Sequence, residues 1–245
     1  MATDYVDAHP RDARARILLA RAHLGRNRLT AAYDQLERAL ALDPRNVDAL
    51  YYLGLVAGDL AATEFQRLHD TAPDSARVHQ LRAETFEAQE RRSDAEREYE
   101  AALRQDPSLV DALLGLGRLK RIRLACEDAV ALYERAEAIR STFDGAYGLG
   151  ICLSTLQDDR AAVARFQQAL RYDGTSALAL AGLGTSLVKI GQTADGINRL
   201  ERAVAIQPNL VEAHYMLGMA YRTAGQKERS DQAFRKAEQL RAGAR

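Results

Sequence analysis

The chain has 245 residues, 47% of them hydrophobic, and its 34 basic residues balance its 34 acidic ones. No stretch carries the clustered positive charge of a nucleic-acid-binding surface, and no apolar run approaches the ~20 residues of a membrane span. Residues 1–12 show neither the basic segment nor the apolar core of a signal peptide. We therefore expect a soluble, cytoplasmic protein unless a leader has been removed.

The sequence repeats with a period of 34 residues, a length typical of stacked helical units. Most units carry Leu-Gly at positions seven and eight, a small residue at twenty and twenty-seven, and an aromatic residue or Leu at twenty-four. Several units place Pro at position thirty-two. The seven units cover residues 13–46, 47–75, 76–109, 110–142, 143–176, 177–210 and 211–244.

The spacing within a unit has a physical cause. Small residues at positions eight, twenty and twenty-seven let two antiparallel helices approach closely, and the aromatic residue at twenty-four fills the space between them. Proline ends the second helix because it has no N–H to donate. One helix pair cannot bury its apolar faces alone, so the units must stack.

Residues 1–12 precede the first complete unit. Pro10 falls at position thirty-two of an earlier unit, so this segment resembles the tail of a preceding repeat. The helix that follows carries two apolar stripes, and its hairpin partner covers only one of them. We expect either that Tyr5 and Val6 cap the other stripe, or that this N-terminal face pairs with a second protomer in a homo-oligomer. A further alternative is that the chain was excised from a longer array.

The second unit, residues 47–75, is shorter than the others. Seven residues separate Gly54 from Ala61, where the other units have twelve. Five residues are therefore missing around Gly58 and Asp59. We predict a truncated helix pair whose first helix is shorter by about one turn.

The joint between the fourth and fifth units lacks a proline near Ser141 and is one residue shorter than its counterparts. In a repeat array the stability is roughly a sum of unit and interface contributions, so a weak joint opens locally. We predict faster amide exchange at this joint than at the turn around Pro107.

Seven units in phase make the chain similar to tetratricopeptide repeat (TPR) proteins over residues 13–244. It departs from the family pattern in having no Trp at position four of any unit. The resemblance implies an all-α fold, an α-solenoid in which about seven helix pairs form a right-handed superhelix. In such proteins the first helices line a concave groove that holds a peptide or another protein.

If the family geometry holds, positions two, five, nine and twelve of each unit point into this groove. Aromatic and Met residues at these positions are typical of interface hot spots, although semi-buried packing is the alternative. The candidate peptide-binding residues are Arg14, Ile17, Arg21, Tyr51, Leu55, Gln80, Glu84, Leu114, Arg118, Arg121, Tyr147, Ile151, Ser154, Thr185, Tyr215, Met219 and Arg222.

Two specialised groups of TPR proteins do not match. Chaperone-binding members carry a Lys-x-x-x-Asn pair where this chain has Ile17 and Arg21. The TPR region of O-linked N-acetylglucosamine transferase has asparagine at position six, where three units here have Gly115, Gly148 and Gly182. The resemblance therefore indicates a protein partner without identifying it.

No pattern of catalytic or metal-binding residues stands out. The five histidines lack metal-ligand spacing, and there is no glycine-rich phosphate loop after a strand. Cys126 and Cys152 form no CxxC motif, so we expect buried, reduced thiols. We interpret the densest group of cations as a charged helix face; it comprises Arg118, Lys120, Arg121 and Arg123. The sequence predicts no enzyme, no cofactor and no metal.

We interpret the chain as a non-enzymatic protein–protein interaction scaffold that binds a peptide or partner protein in its groove, with neither nucleic acid nor membrane as a partner. Two alternatives stay open, namely a recruiting or regulatory region of a larger enzyme and a self-assembling repeat module. In the last helix Asp231 and Glu238 replace the apolar residues that face the next repeat in earlier units. This substitution predicts a native C-terminal cap.

Overall fold

The computed structural model describes residues 2–243, which form fourteen helices and no strand. Ala244, the last residue of the seventh predicted unit, lies outside this range. The all-α solenoid of helix pairs that the sequence predicts is confirmed. The helices are Ala2–Ala8 (α1), Ala13–Leu24 (α2), Leu29–Leu42 (α3), Val47–Thr71 (α4), Ala76–Ala88 (α5), Arg92–Gln105 (α6), Val110–Ile122 (α7), Cys126–Ile139 (α8), Phe143–Thr155 (α9), Asp159–Tyr172 (α10), Ala177–Lys189 (α11), Thr193–Ile206 (α12), Val211–Thr223 (α13) and Lys227–Gly243 (α14).

The chain divides into two compact units, and the N-terminal one spans residues 1–74. Here α2 and α3 form a helix pair, against which the first half of α4 packs. Asp12 and Asn46 begin α2 and α4 by accepting hydrogen bonds from the backbone N–H groups of Ala15 (3.0 Å) and Ala49 (3.1 Å). The core of this unit consists of Ile17, Ala20, Ala32, Leu36, Ala39, Ala49 and Val56.

The second predicted repeat is one continuous helix and not a helix pair, which corrects the sequence-based prediction. α4 runs through Gly58 and Asp59 without a break. Each of the six helix pairs between residues 2 and 243 turns at one residue of positive φ, from 55° at Asn27 to 87° at Gly191, whereas α4 contains no such residue. The five missing residues are those that would form this turn, so helical hydrogen bonding continues across the joint.

The N-terminal segment packs partly as predicted. Val6 is 4% exposed and contacts Ala15 and Leu19 on α2. It covers only part of the second apolar stripe, because Leu18 is 60% exposed and Ala22 is exposed. Tyr5 does not contribute to this cover. It is 51% exposed and stacks on His9 with ring centroids 4.3 Å apart.

The C-terminal unit, residues 75–245, stacks five helix pairs from α5–α6 to α13–α14. Successive first helices contact one another, and each second helix packs on the first helix of the next pair. Small side chains let the helices approach, and six of them on α6, α8 and α10 are fully buried: Ala95, Ala102, Ala129, Ala136, Ala162 and Ala169. None of the helices between residues 2 and 243 is long and apolar enough to cross a membrane.

The joint between α8 and α9, which lacks a proline, is held by hydrogen bonds to the carboxylate of Glu137. Glu137 accepts hydrogen bonds from Ser141 Oγ (2.5 Å), from the backbone N–H of Thr142 (2.9 Å) and from Gln168 Nε2 (2.5 Å). The hydroxyl of Thr142 in turn accepts from the N–H of Gly145 at 3.0 Å and begins α9. That this joint opens more readily than the turn around Pro107 stays a prediction. The hydrogen bonds to Glu137 oppose such opening.

Replacing Glu137 by alanine removes the acceptor of three hydrogen bonds. We expect the free energy of unfolding to fall by about 1–3 kcal/mol, because bonds to a charged acceptor are the stronger ones. Hydrogen–deuterium exchange should accelerate at residues 141–145 relative to the turn around Pro107. Glu134→Ala, which removes an exposed acid from the same helix, is the matched control. Unchanged exchange in Glu137→Ala would show that other contacts hold the joint.

Candidate peptide-binding face

The candidate site is the surface formed by the first helices of the C-terminal unit, and we call the exposed side of α7, α9, α11 and α13 the first-helix face. These helices are neighbours in sequence order. Twelve residues line a cavity of about 360 Å³ on this face, a volume at the lower end of the range for ligand pockets, which is about 300–1,000 Å³. The lining residues are Tyr147, Ile151, Ser154, Thr155, Phe166, Leu178, Ala181, Gly182, Thr185, Leu210, Glu212 and Met216.

Glycine at position six of a unit lets an aromatic ring of the preceding unit reach the first-helix face. A Cβ atom on Gly182 would lie 2.5 Å from Cζ of Phe166, and one on Gly115 or Gly148 would meet a tyrosine ring more closely still. Such distances are shorter than real Cβ contacts, so a side chain at these positions would displace the ring. The Phe166 ring therefore forms the floor of the cavity beneath Gly182.

The tyrosine that reaches the face beneath Gly115 meets a pair of charges. Tyr99 Oη donates to Glu87 Oε2 at 2.6 Å. Arg118 also donates to this carboxylate, with Nη2 at 2.5 Å from Oε2 and Nε at 3.2 Å from Oε1. The bidentate contact raises the pKa of Arg118, and burial followed by the hydrogen bond to Glu87 raises the pKa of Tyr99.

Lys120 of α7 and Arg123, which directly follows this helix, share one carboxylate from α6. Lys120 Nζ donates to Glu96 Oε1 at 2.5 Å, and Arg123 pairs with Glu96 Oε2. The hydrogen bond from Lys120 holds the pKa of Glu96 below its usual range. The charged face predicted for α7 is therefore largely neutralised by acids of the preceding repeat.

Arg121 differs from these three cations. No carboxylate in residues 2–243 lies within ion-pair distance of it, and its Nε is buried without a hydrogen-bond partner. Burial raises the pKa of the Tyr133 phenol, and the adjacent Arg121 guanidinium partly opposes this rise. The same guanidinium acts in the same direction on the pKa of Tyr147. Arg121 thus lies among phenol groups with its positive charge unmatched.

Tyr147 forms an aromatic part of the cavity wall. Its ring lines the cavity wall, stacks on Phe143 with centroids 5.6 Å apart, and tilts at 59° against Phe166. The ring is half-buried and packs against these two rings. One wall of the cavity is therefore aromatic.

The polar groups near the C-terminal end of α9 are paired with one another or with neighbouring side chains. Ser154 Oγ donates to Asp159 Oδ1 at 2.8 Å and accepts from Ser186 Oγ at 3.3 Å. Lys189 Nζ lies 3.1 Å from Ser154 Oγ and 3.3 Å from Asp159 Oδ1. These contacts use the charge of Lys189 within the protein.

The last repeat contributes a more exposed surface outside the cavity. Tyr215 is 43% exposed and packs edge-on against Phe234 with centroids 5.4 Å apart. Arg222 donates to Met219 Sδ at 2.9 Å and lies over the Phe234 ring at 5.9 Å. These three predicted residues lie together on α13, apart from the cavity lining.

The remaining predicted residues fall into separate places. Gln80 and Glu84 bond to each other on α5, with Gln80 Nε2 2.7 Å from Glu84 Oε1. Leu114 is a correction to the predicted set: it is 9% exposed and belongs to the core between α7, α8 and α9, so it offers almost no surface.

The N-terminal unit has a cavity of its own, of about 330 Å³. Arg14, Ile17 and Arg21 of α2 line it together with Leu18, Asp48 and Tyr52. The Arg21 guanidinium lies 5.4 Å from the centroid of Tyr52. The other two predicted residues of this unit do not line it; they are Tyr51, 61% exposed, and Leu55, 48% exposed.

Sequence reasoning found part of the cavity. Tyr147, Ile151, Ser154 and Thr185 were predicted, and all four line it. Phe166, Gly182 and Met216 were missed because positions six and twenty-four were treated as core or as uninformative. The signal that would have found them is glycine at position six following an aromatic residue at twenty-four.

The residues between 2 and 243 contain no group of three or more His, Cys, Asp or Glu side chains arranged to hold a metal ion. Cys126 and Cys152 are both buried as free thiols in one core cluster, as predicted. Burial raises the pKa of Cys152 to about 12, and the neighbouring Cys126 adds to the rise.

The comparisons with known proteins agree on one fold. A family model described as tetratricopeptide repeat matches residues 19–76, 81–142 and 181–245. The crystal structure of MamA is 23% identical over 66% of this chain and 95% of its own, with a TM-score of 0.58. No curated protein sequence matches the chain at a significant level.

Two other solved structures resemble the chain at similar levels. YrrB, described as a TPR protein with an unusual peptide-binding site, is 20% identical over 72% of this chain and 91% of its own, with a TM-score of 0.62. A chain of the APC/C hetero-tetramer Cut9-Hcn1 is 19% identical over 97% of this chain and 48% of its own, with a TM-score of 0.61. At these identities the likenesses show the fold alone.

Proposed function

The chain belongs to the tetratricopeptide repeat family, and from this premise we propose that it is a non-enzymatic scaffold that binds an extended segment of a partner protein on its first-helix face. The observation that carries the proposal is the cavity over Phe166, which three successive repeats build together. A surface shared by successive repeats suits an extended ligand, because such a ligand crosses one repeat after another.

The chemistry of the cavity supports a peptide side chain as its occupant. Tyr147, Ile151 and Leu178 supply apolar and aromatic wall, and the Phe166 ring supplies the floor. Binding hot spots cluster where such an anchor fills a well-packed pocket. The similarity to YrrB, which is described as having a peptide-binding site, is consistent with this use of the fold.

Filling the cavity tests the proposal. Random twelve-residue peptides displayed on phage are selected against the full chain, and synthetic copies are measured by fluorescence anisotropy. We expect Ala181→Trp, which places an indole in the cavity, to weaken binding at least tenfold, or about 1.4 kcal/mol. Ala164→Trp on the exposed side of α10 is the matched control and should leave the affinity unchanged.

Three outcomes would contradict the proposal. The first is a selection that yields no peptide binding the chain, and the second is a set of bound peptides that tolerate Ala181→Trp as well as Ala164→Trp. A rise of mass with concentration in light scattering, abolished by Ala181→Trp, would assign the cavity to self-assembly instead. Thermal melting of both variants controls for folding.

A further inference from the structure

We propose that the first-helix face selects a segment in which an acidic side chain lies about four residues from an apolar anchor, with the carboxylate on Arg121 and the anchor over Phe166. This inference rests on the proposed function and specifies the chemistry of its ligand. It also gives the segment a direction along the repeats.

Three of the four cations at the C-terminal end of α7 are paired with acids. Glu87 holds Arg118, and Glu96 holds both Lys120 and Arg123. Residues 2–243 supply no carboxylate to the fourth cation of this group, Arg121.

Arg121 also lacks a hydrogen-bond partner at one of its nitrogens. Its Nε is buried without an acceptor, although a buried donor is nearly always paired in a folded protein. A planar guanidinium favours a carboxylate, which it can bind with two parallel hydrogen bonds. The Arg121 side chain is only partly buried, so a carboxylate from a ligand would supply the missing charge at its accessible part.

Arg121 lies on α7, which contacts α9, a helix that lines the cavity. Tyr147 lines the cavity wall, and the Tyr133 ring lies against both Gly148, the residue after Tyr147, and Gly117, about one helical turn before Arg121 on α7. Neighbouring helix axes lie about 8–10 Å apart, and an extended chain advances about 3.4 Å per residue. An anchor between α9 and α11 is one and a half such spacings from α7, or about 12–15 Å, so the acid is about four residues from the anchor.

The charges on the side of the cavity toward α11 and α13 do not favour an acid. Lys189 is already paired with Asp159, so it does not attract a second carboxylate. Glu212 lines the cavity from α13 and is exposed, and its charge disfavours an acid there. The ligand's acid therefore lies toward α7, and a neutral or basic residue lies toward α13.

The test uses the phage-selected twelve-residue peptides together with charge variants of the chain. We expect Asp or Glu to be enriched about four residues from Leu, Ile, Met or Phe, relative to the unselected library. A synthetic peptide of this kind should bind Arg121→Gln at least tenfold more weakly than wild type. Glu212→Gln, which removes a negative charge from the cavity lining, should raise its affinity.

The ligand's own acid gives a second measurement that leaves the protein intact. Replacing Asp by Asn in the peptide should weaken binding to the wild-type chain, but it should change little in the Arg121→Gln variant. Raising the salt concentration should weaken only the pair that carries both charges. These comparisons remain decisive if Arg121→Gln lowers the melting temperature, because the Asn peptide reports on the folded wild type.

The possible results separate this inference from the proposed function. Peptides that require the cavity but show no acidic preference, and that bind Arg121→Gln normally, would overturn the role of Arg121 and leave the scaffold proposal standing. Peptides that ignore Ala181→Trp would overturn both. An acidic preference that Arg121→Gln does not reduce would place the carboxylate on another cation and would also overturn the inference.

Discussion

Gly148→Ala should destabilise the C-terminal unit by about 2–3 kcal/mol, although it adds only one methyl group. The new Cβ would overlap the ring of Tyr133, which is 3% exposed and also lies against Gly117. The ring has no free space to enter, so either the ring or α9 must shift. Urea unfolding followed by circular dichroism measures the loss. Gly54→Ala is the matched control, because no atom lies within 4 Å of its Cβ position.

The same overlap predicts a rescue. The sixth repeat has Leu200 in place of the aromatic residue, and the seventh repeat has Met216 in place of the glycine. The protein therefore already contains a unit junction in which a smaller core residue faces a larger one. Tyr133→Leu should cost stability alone but recover most of the loss when combined with Gly148→Ala. A double variant in which the two losses simply add would show that Tyr133 is not the obstacle.

The repeat period was enough to predict the helix pairs, because it reports contacts that every unit makes in the same way. Ala162 and Ala169 recur at positions twenty and twenty-seven, and both are fully buried as the spacing requires. Tyr147 and Thr185 follow from the same template and line one cavity. These features depend on the residue's own position and on an identical neighbour.

The features that the template missed depend on differences between neighbouring units. Leu114 and Tyr147 share position five, yet Leu114 is 9% exposed and Tyr147 is half-buried. The free charge of Arg121 becomes visible only when Glu87 and Glu96 are found to hold the other cations. Exposure and charge pairing are set across repeats, and a single-unit pattern does not contain that information.

The continuous helix α4 shows what the missing turn does to the chain. Gly58 and Asp59 were taken to mark a break, but both lie inside a helix of 25 residues. The chain there lacks a residue in the left-handed conformation, which every helix pair in residues 2–243 uses to turn. Since helix propagation adds one hydrogen bond per residue, a sequence without a turn signal continues as helix.

Restoring the turn should therefore fold α4 into a hairpin. Inserting Lys-Ile-Gly-Gln-Thr, the residues at 189–193, between Gly58 and Asp59 supplies the five missing positions and the glycine of positive φ. Spin labels at Leu50→Cys and Asp70→Cys measure the result. Twenty residues of helix separate the two sites by about 30 Å at 1.5 Å per residue. In the hairpin they face each other across axes that are about 8–10 Å apart.

A helical insertion of equal length provides the control for this change. Ala-Glu-Ala-Ala-Lys at the same place should extend the helix and lengthen the separation to about 38 Å. Cys126 and Cys152 are buried, so the labels should react at the two introduced sites alone, which the labelling stoichiometry checks. A long separation in the Lys-Ile-Gly-Gln-Thr variant would mean that packing in the N-terminal unit, and not the absent turn, keeps α4 straight. A short separation would establish that five residues decide between one helix and two.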